Sequence, residues 1–328
     1  MAPELSVNAR GRNARRYRDP GDRRATQEAA ARTQSVLADT VATLATFELH
    51  MSVASASTTQ SRWFDDRALA SPRRGALADL LQAFEAQGIG PNRKAASASL
   101  LLRLGWAGGF AIAAYLARRR VPTISAYAVC FSPMLLLQSI WVRDVGFVGA
   151  HDDPLAGARG WIAGAEVREL PRLLLDSLVA FTEPVVATQH AWSGLSRHAL
   201  WAMATSSWAE QFTNVARQMG DEQRGVREAT AVLDLVPELR RAAPTLYAVA
   251  GGRNARTCQR RSACCLYFKG SARHFCASCP IIPETERLER NRSWVASQPP
   301  PRTLVSDPLA PGPTALERSV ASTRVGGV

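Results

Sequence analysis

The sequence predicts a mainly α protein with a small β element, an α+β chain in which a helical domain is followed by a short Cys-rich module. Three observations carry this. Apolar residues recur at helical spacing over long stretches, the interval 123–150 is instead rich in β-branched and aromatic residues, and four of the six cysteines fall between Cys264 and Cys279. With 328 residues, 46% hydrophobic and 21% charged, the chain has the length for a real core and the composition of an ordinary globular protein.

Residues 1–25 read as a disordered basic leader, because RGRNARRYRDPGDRR at 10–24 combines dense like charge with Gly, Asn and Pro. Residues 26–250 read as the mainly helical domain. From Thr26 to about Val53 the residues Val36, Thr40, Leu44 and Phe47 lie on one helical face. ALADLLQAFEAQ at 76–87 is a short amphipathic helix that stops at Gly88. Asn92 is placed to cap a third helix, which runs through LLLRLGWAGGFAIAAYLARRR to the arginines before Pro122, where positive charge suits the end of a helix dipole.

ISAYAVCF and SIWVRDVGFVG then predict two or three strands, with HDDP at 151–154 as the following turn. Helices resume over Arg168–Phe181, again from the N-cap Ser196 to the C-cap Gly220, and over Val226–Leu235. In the second of these Trp201, Ala204, Trp208, Phe212 and Val215 are spaced 3, 4, 4 and 3 apart, a buried stripe. The Cys-rich module occupies 251–285, and 286–328 reads as a Pro-rich disordered tail containing SQPPPRTLVSDPLAPGPT.

The net charge of +12 and the pI near 10.3 invite a nucleic-acid reading. Nearly all the basic residues are arginine, however, with Lys94 and Lys269 the only lysines, a skew that matches alanine-rich, GC-rich coding. No secretory signal pattern is visible. The two apolar stretches 95–117 and 121–141 are interrupted by Arg103 and by Pro122 and Pro133, so they read as core elements and not as membrane spans. The expected location is cytoplasmic, where structural disulfides are rare. No dinucleotide fingerprint, P-loop, HExxH or nucleophile elbow occurs in the sequence.

The cysteines follow the pattern C-C-x10-C-x2-C at Cys264, Cys265, Cys276 and Cys279. Zinc sites favour two C-x2-C chelates, and only the second pair has that form, so a zinc site would need Cys258 or His274 as a substitute ligand. A [2Fe–2S] cluster has two irons, each taking two thiolates, which relaxes the demand on adjacent cysteines. Spacing alone leaves both readings open.

The same motif, preceded by arginines and followed by proline, resembles the C-terminal signature of the ferric siderophore reductase family. FTEPVVATQHAWSGLSRHALWAMATSSWAEQF and SLLLRLGWAGGFAIAAYLARRRVP are similar to that family's Pro-containing Leu-Trp helix and its apolar helix with an internal arginine, so the likeness spans about residues 60–285. The resemblance implies an oxidoreductase in which Cys264, Cys265, Cys276 and Cys279 bind a [2Fe–2S] cluster that passes one electron to Fe(III) held by a siderophore, typically a hydroxamate, and releases Fe(II). It implies no catalytic residue beyond the cluster and an external electron donor protein of ferredoxin or reductase type. Nucleic acid is not an expected partner, and peripheral association with the inner membrane is compatible with the family. Arg260, Arg261, Lys269 and Arg273 lie near the ligands in sequence, where positive charge would raise the potential of a bound cluster or dock an acidic donor. Arg103, Trp201 and Trp208 are candidates for contact with the siderophore. The competing reading is a zinc-stabilised, Arg-rich nucleic-acid-binding protein.

Overall fold

The computed structural model describes residues 35–49, 51–54, 63–71, 75–270 and 274–299. The basic leader, the first turns of the helix expected from Thr26, Arg273 and everything from residue 300 lie outside the described residues. Over the described residues the protein is mixed α+β, about 53% helical with 21% strand.

Helix α1 (Val36–Leu44) is capped by Ser35, whose side chain accepts from the Ala38 N–H, and buries Val36, Thr40 and Leu44. Short strands β1 (Ser52–Ala54) and β2 (Trp63–Asp65) follow, with the single turn α2 (Asp66–Leu69). Helix α3 (Gly75–Ala86) leads to α4 (Arg93–Leu104), and Asn92 caps α4 as expected by accepting from the Ala95 N–H. The anticipated single long helix is broken by a 3₁₀ turn at Gly105–Gly108 before it resumes as α5 (Gly109–Arg118). The physical reason lies in GWAGG. A Cβ on Gly105, Gly108 or Gly109 would press on Ser207, Trp208 and Gln211 respectively, so the missing side chains let the backbone meet a neighbouring helix closely.

That neighbour is α7 (Arg197–Gln218), capped by Ser196 and packed against α4, the 3₁₀ turn and α5. Trp201, Ala204, Trp208, Phe212 and Val215 are all buried, and the Trp201 and Trp208 rings meet edge-on at 5.9 Å. Helix α6 (Leu170–Ser193) runs well past the expected end at Phe181 and carries Pro184 in its interior. Helices α8 (Glu222–Leu233) and α9 (Pro237–Ala242) close the helical layer. The apolar run 93–118 has the length and hydropathy of a membrane span, yet 83% of its most apolar window is buried inside the protein.

The strand content is larger than the small element expected. Strands β3 (Arg120–Phe131) and β4 (Leu137–Ala150) form the anticipated antiparallel pair, extended on one side by β2 against β3. On the far side of β4, β1 and β5 (Trp161–Ala165) each pair parallel to it at different heights, giving five strands. β1, β2 and β5 escaped the sequence reading because three to five residues are too few to show a period. The HDDP turn has an added role. Asp153 receives Arg120 through both carboxylate oxygens, at 2.6 and 2.8 Å, with Arg120 1% exposed, and Asp39 of α1 takes its third contact. This buried ion pair pins β3 to the turn and to α1, and breaking one partner would cost about 3–5 kcal/mol.

A two-stranded hairpin, β6 (Thr245–Gly251) and β7 (Asn254–Arg260), was not anticipated. Gly252 turns it with φ of 59°. The expectation of a tail from residue 286 is corrected over 284–297, which form helix α10 (Glu284–Ser297) lying on that hairpin. Arg287, Asn291 and Val295, four residues apart, are its buried stripe. Two of the three are polar, which hides the period. Asn291 donates to the Tyr247 hydroxyl at 2.8 Å, Arg287 donates to the Ile282 carbonyl at 3.3 Å, and Val295 packs with Val249 and Cys258.

Candidate metal centre

Two segments carry the four cysteines. The first leaves β7 at Arg260 and runs to Gly270, and the second, from His274 to Cys279, leads into α10. They are clipped together by a backbone hydrogen bond from the Arg261 N–H to the Ser278 carbonyl at 3.0 Å. The first segment is anchored to the helical layer as well. Ser262 donates to the Ala242 carbonyl at the end of α9 at 2.6 Å, and Gly270 sits so close to the loop after α3 that a Cβ there would overlap the Gly88 carbonyl oxygen. Phe268 stacks on Phe275 at 4.6 Å and Tyr267 meets His274 edge-on at 5.9 Å, two ring contacts that join the segments again.

This framework brings all four sequence-predicted thiols together, each unpaired by any disulfide. Cys264 interacts electrostatically with Cys265 and Cys279, and Cys276 with Cys265, so the four thiols are neighbours across the two segments. Cys265 and Cys279 are buried, while Cys264 and Cys276 are partly exposed. Among the described residues, no three His, Cys, Asp or Glu side chains gather closely enough to hold one ion.

The local backbone is bent to serve these sulfurs. Leu266 adopts φ of 60°, uncommon for a residue with a branched side chain, and its N–H donates to Cys264 Sγ at 3.3 Å. The Cys264 thiol is lowered from its ordinary pKa, chiefly by its contact with Cys265 and then by that N–H, against the opposing effect of burial. The Cys276 thiol is raised, first by its contact with Cys265 and then by burial, with Arg261 pulling it back. Ser278 donates to Cys276 Sγ at 3.8 Å.

One arginine bonds to the sulfurs and a second lies in the helical layer, where it interacts electrostatically with Cys265. Arg261 Nη1 donates to Cys265 Sγ and to Cys276 Sγ, both at 3.4 Å, while its Nε is buried with no hydrogen-bond partner among the described residues. Arg103 reaches over from α4, its guanidinium above the Phe84 ring at 5.1 Å and its Nη1 on the Ser99 carbonyl. Burial lowers the Arg103 pKa, and the neighbouring Tyr267 and Cys265 partly restore it. Of the other residues considered from sequence, Arg260 and Lys269 are exposed at the rim and His274 is exposed beside Tyr267. Trp201 and Trp208 are core residues with no surface to offer a ligand.

The remaining cysteines stand apart. Cys258 is buried in the hairpin against Val249 and Val295, and burial pushes its thiol up to about 11. Cys130 is buried in β3 opposite Trp63. The Leu266 turn, the Gly88–Gly270 contact and the Ser278 clip were not read from sequence. Of these, only the glycine in GIGP and the glycine after Lys269 left a visible trace there. No family model, no curated protein and no solved structure matches the chain.

Proposed function

We propose that Cys264, Cys265, Cys276 and Cys279 hold a [2Fe–2S] cluster and that the protein is a ferric siderophore reductase. The observation that carries this reading is four disulfide-free thiols on two segments clipped together, with a backbone N–H and an arginine donating to their sulfurs. The donor chemistry fits such a group. Soft thiolates are the ligands of iron–sulfur clusters, and the donors around them compensate thiolate charge in a partly buried site. The resemblance of C-C-x10-C-x2-C and its flanking arginines to the ferric siderophore reductases supports the same reading.

When bound, the cluster supplies electrons singly, and one electron is what the substrate requires. Hydroxamate oxygens are hard anionic donors that match Fe(III) and hold Fe(II) far less well, so reduction loosens the iron for softer ligands. The residues of this chain have separate tasks. Cys264 and Cys276, partly exposed, mark the side from which an electron enters or leaves. The exposed Arg260 and Lys269 give that rim a positive charge suited to an acidic donor protein or to an anionic iron chelate.

The direct test is reduction of the purified protein by dithionite under anaerobic conditions, followed by addition of a ferric hydroxamate and a chelator specific for Fe(II). The expected outcome is Fe(II) release together with reoxidation of the protein chromophore. A protein that carries one zinc and no iron overturns the reading and leaves the zinc-stabilised nucleic-acid binder in its place.

A further inference from the structure

Among the charges near the thiol site one arginine stands apart. Arg260 and Lys269 are exposed, so water and salt screen them. Arg261 is held differently. Its backbone N–H is bonded to the Ser278 carbonyl between Cys276 and Cys279, its Nη1 lies 3.4 Å from the sulfurs of both Cys265 and Cys276, and its Nε is buried without a partner among the described residues. One guanidinium thus spans a cysteine from each segment while its own main chain is tied to the second.

We infer that Arg261 is the residue that sets the reduction potential of the group bound by these cysteines, through its hydrogen bonds to Cys265 and Cys276. The inference rests on the cluster reading proposed above. Adding an electron to a thiolate-bound cluster increases its negative charge, and a fixed cation donating to two of its sulfurs stabilises that state more than the oxidised one. A lysine would keep the charge but lose the planar fork, so it should deliver only part of the effect.

Arg261 does not touch the substrate in this scheme. It is a positioning residue, and activity alone would not identify its role. The experiment is an anaerobic optical and EPR redox titration of the cluster-loaded full chain as wild type, R261Q, R261K and R260Q, with iron and sulfide measured on each. The expected result for R261Q is a lower midpoint potential, by about tenfold in the one-electron equilibrium, or about 59 mV. R261K should fall between R261Q and wild type, and R260Q should match wild type. A cluster-loaded R261Q with the wild-type potential overturns the inference and leaves the cluster reading standing. R260Q shifting as far as R261Q also overturns it, because general surface charge would then be the cause. Loss of the cluster from both R261Q and R261K overturns it by making the side chain structural. Wild-type protein without iron overturns the inference and the cluster reading together.

Discussion

The backbone N–H of Arg261 donates to the Ser278 carbonyl at 3.0 Å, across seventeen positions of sequence. That bond turns two separate cysteine segments into one site. It sets Cys264 and Cys265 against Cys276 and Cys279, and it starts the arginine side chain in the position from which it reaches two sulfurs.

Single serine replacement of Cys264, Cys265, Cys276 or Cys279 is expected to remove the visible chromophore and most of the bound iron. Serine offers a hard oxygen in place of a soft thiolate. Replacement of Cys130 or Cys258 is expected to leave iron and sulfide per chain unchanged, since those thiols are buried elsewhere. Metal analysis of the six variants checks this.

Gly270→Ala is expected to loosen the cysteine segment from the helical layer, because the new methyl would collide with the Gly88 carbonyl oxygen, which belongs to backbone and cannot swing aside. An overpacked contact of this kind costs about 1–3 kcal/mol. A lower melting temperature and faster iron loss to a chelator are the readouts. Gly252→Ala, strained at positive φ but meeting only ordinary contacts with Ala296, should affect the hairpin without accelerating iron loss.

Much of the architecture was legible in the sequence, and the exceptions have physical reasons. Strongly periodic segments announced themselves: the Trp201–Val215 stripe, the Asn92 and Ser196 caps and the β3–β4 pair all occur where spacing and capping chemistry placed them. The hairpin and α10 were missed because buried positions in them are filled by Arg256, Arg287 and Asn291, residues that ordinarily signal surface. The four thiols were found because cysteine clustering needs no fold to be noticed. The arginine that serves them, and the Leu266 turn, depend on which atoms approach a sulfur in space, and one-dimensional spacing does not encode that.

Val295→Asp is expected to detach α10 from the hairpin. Val295 is fully buried against Val249 and Cys258, and an unpaired carboxylate cannot remain there. Val295→Ala should cost roughly 1–3 kcal/mol through lost burial. Thermal melts, with limited proteolysis near residue 284, report both. An unchanged melt for Val295→Asp would mean that 284–297 contributes nothing to the fold.

Stability should also fall as the solution becomes alkaline. Burial raises the Cys258 thiol to about 11, so the folded state holds this proton more tightly than the unfolded chain. The stabilising contribution is therefore complete below the ordinary thiol range and is lost as pH rises from about 9 towards 11. Melting temperatures measured at pH 7.5 and 10.5 should differ more for the wild type than for Cys258→Val, which has no proton to lose at that position.

The central claim is the chemistry of the four thiols, and one preparation tests it. The full chain is purified anaerobically, its visible spectrum recorded, and iron, acid-labile sulfide and zinc measured on the same sample. The expected result is a red-brown protein with about two irons and two sulfides per chain. A colourless protein with about one zinc per chain would contradict it.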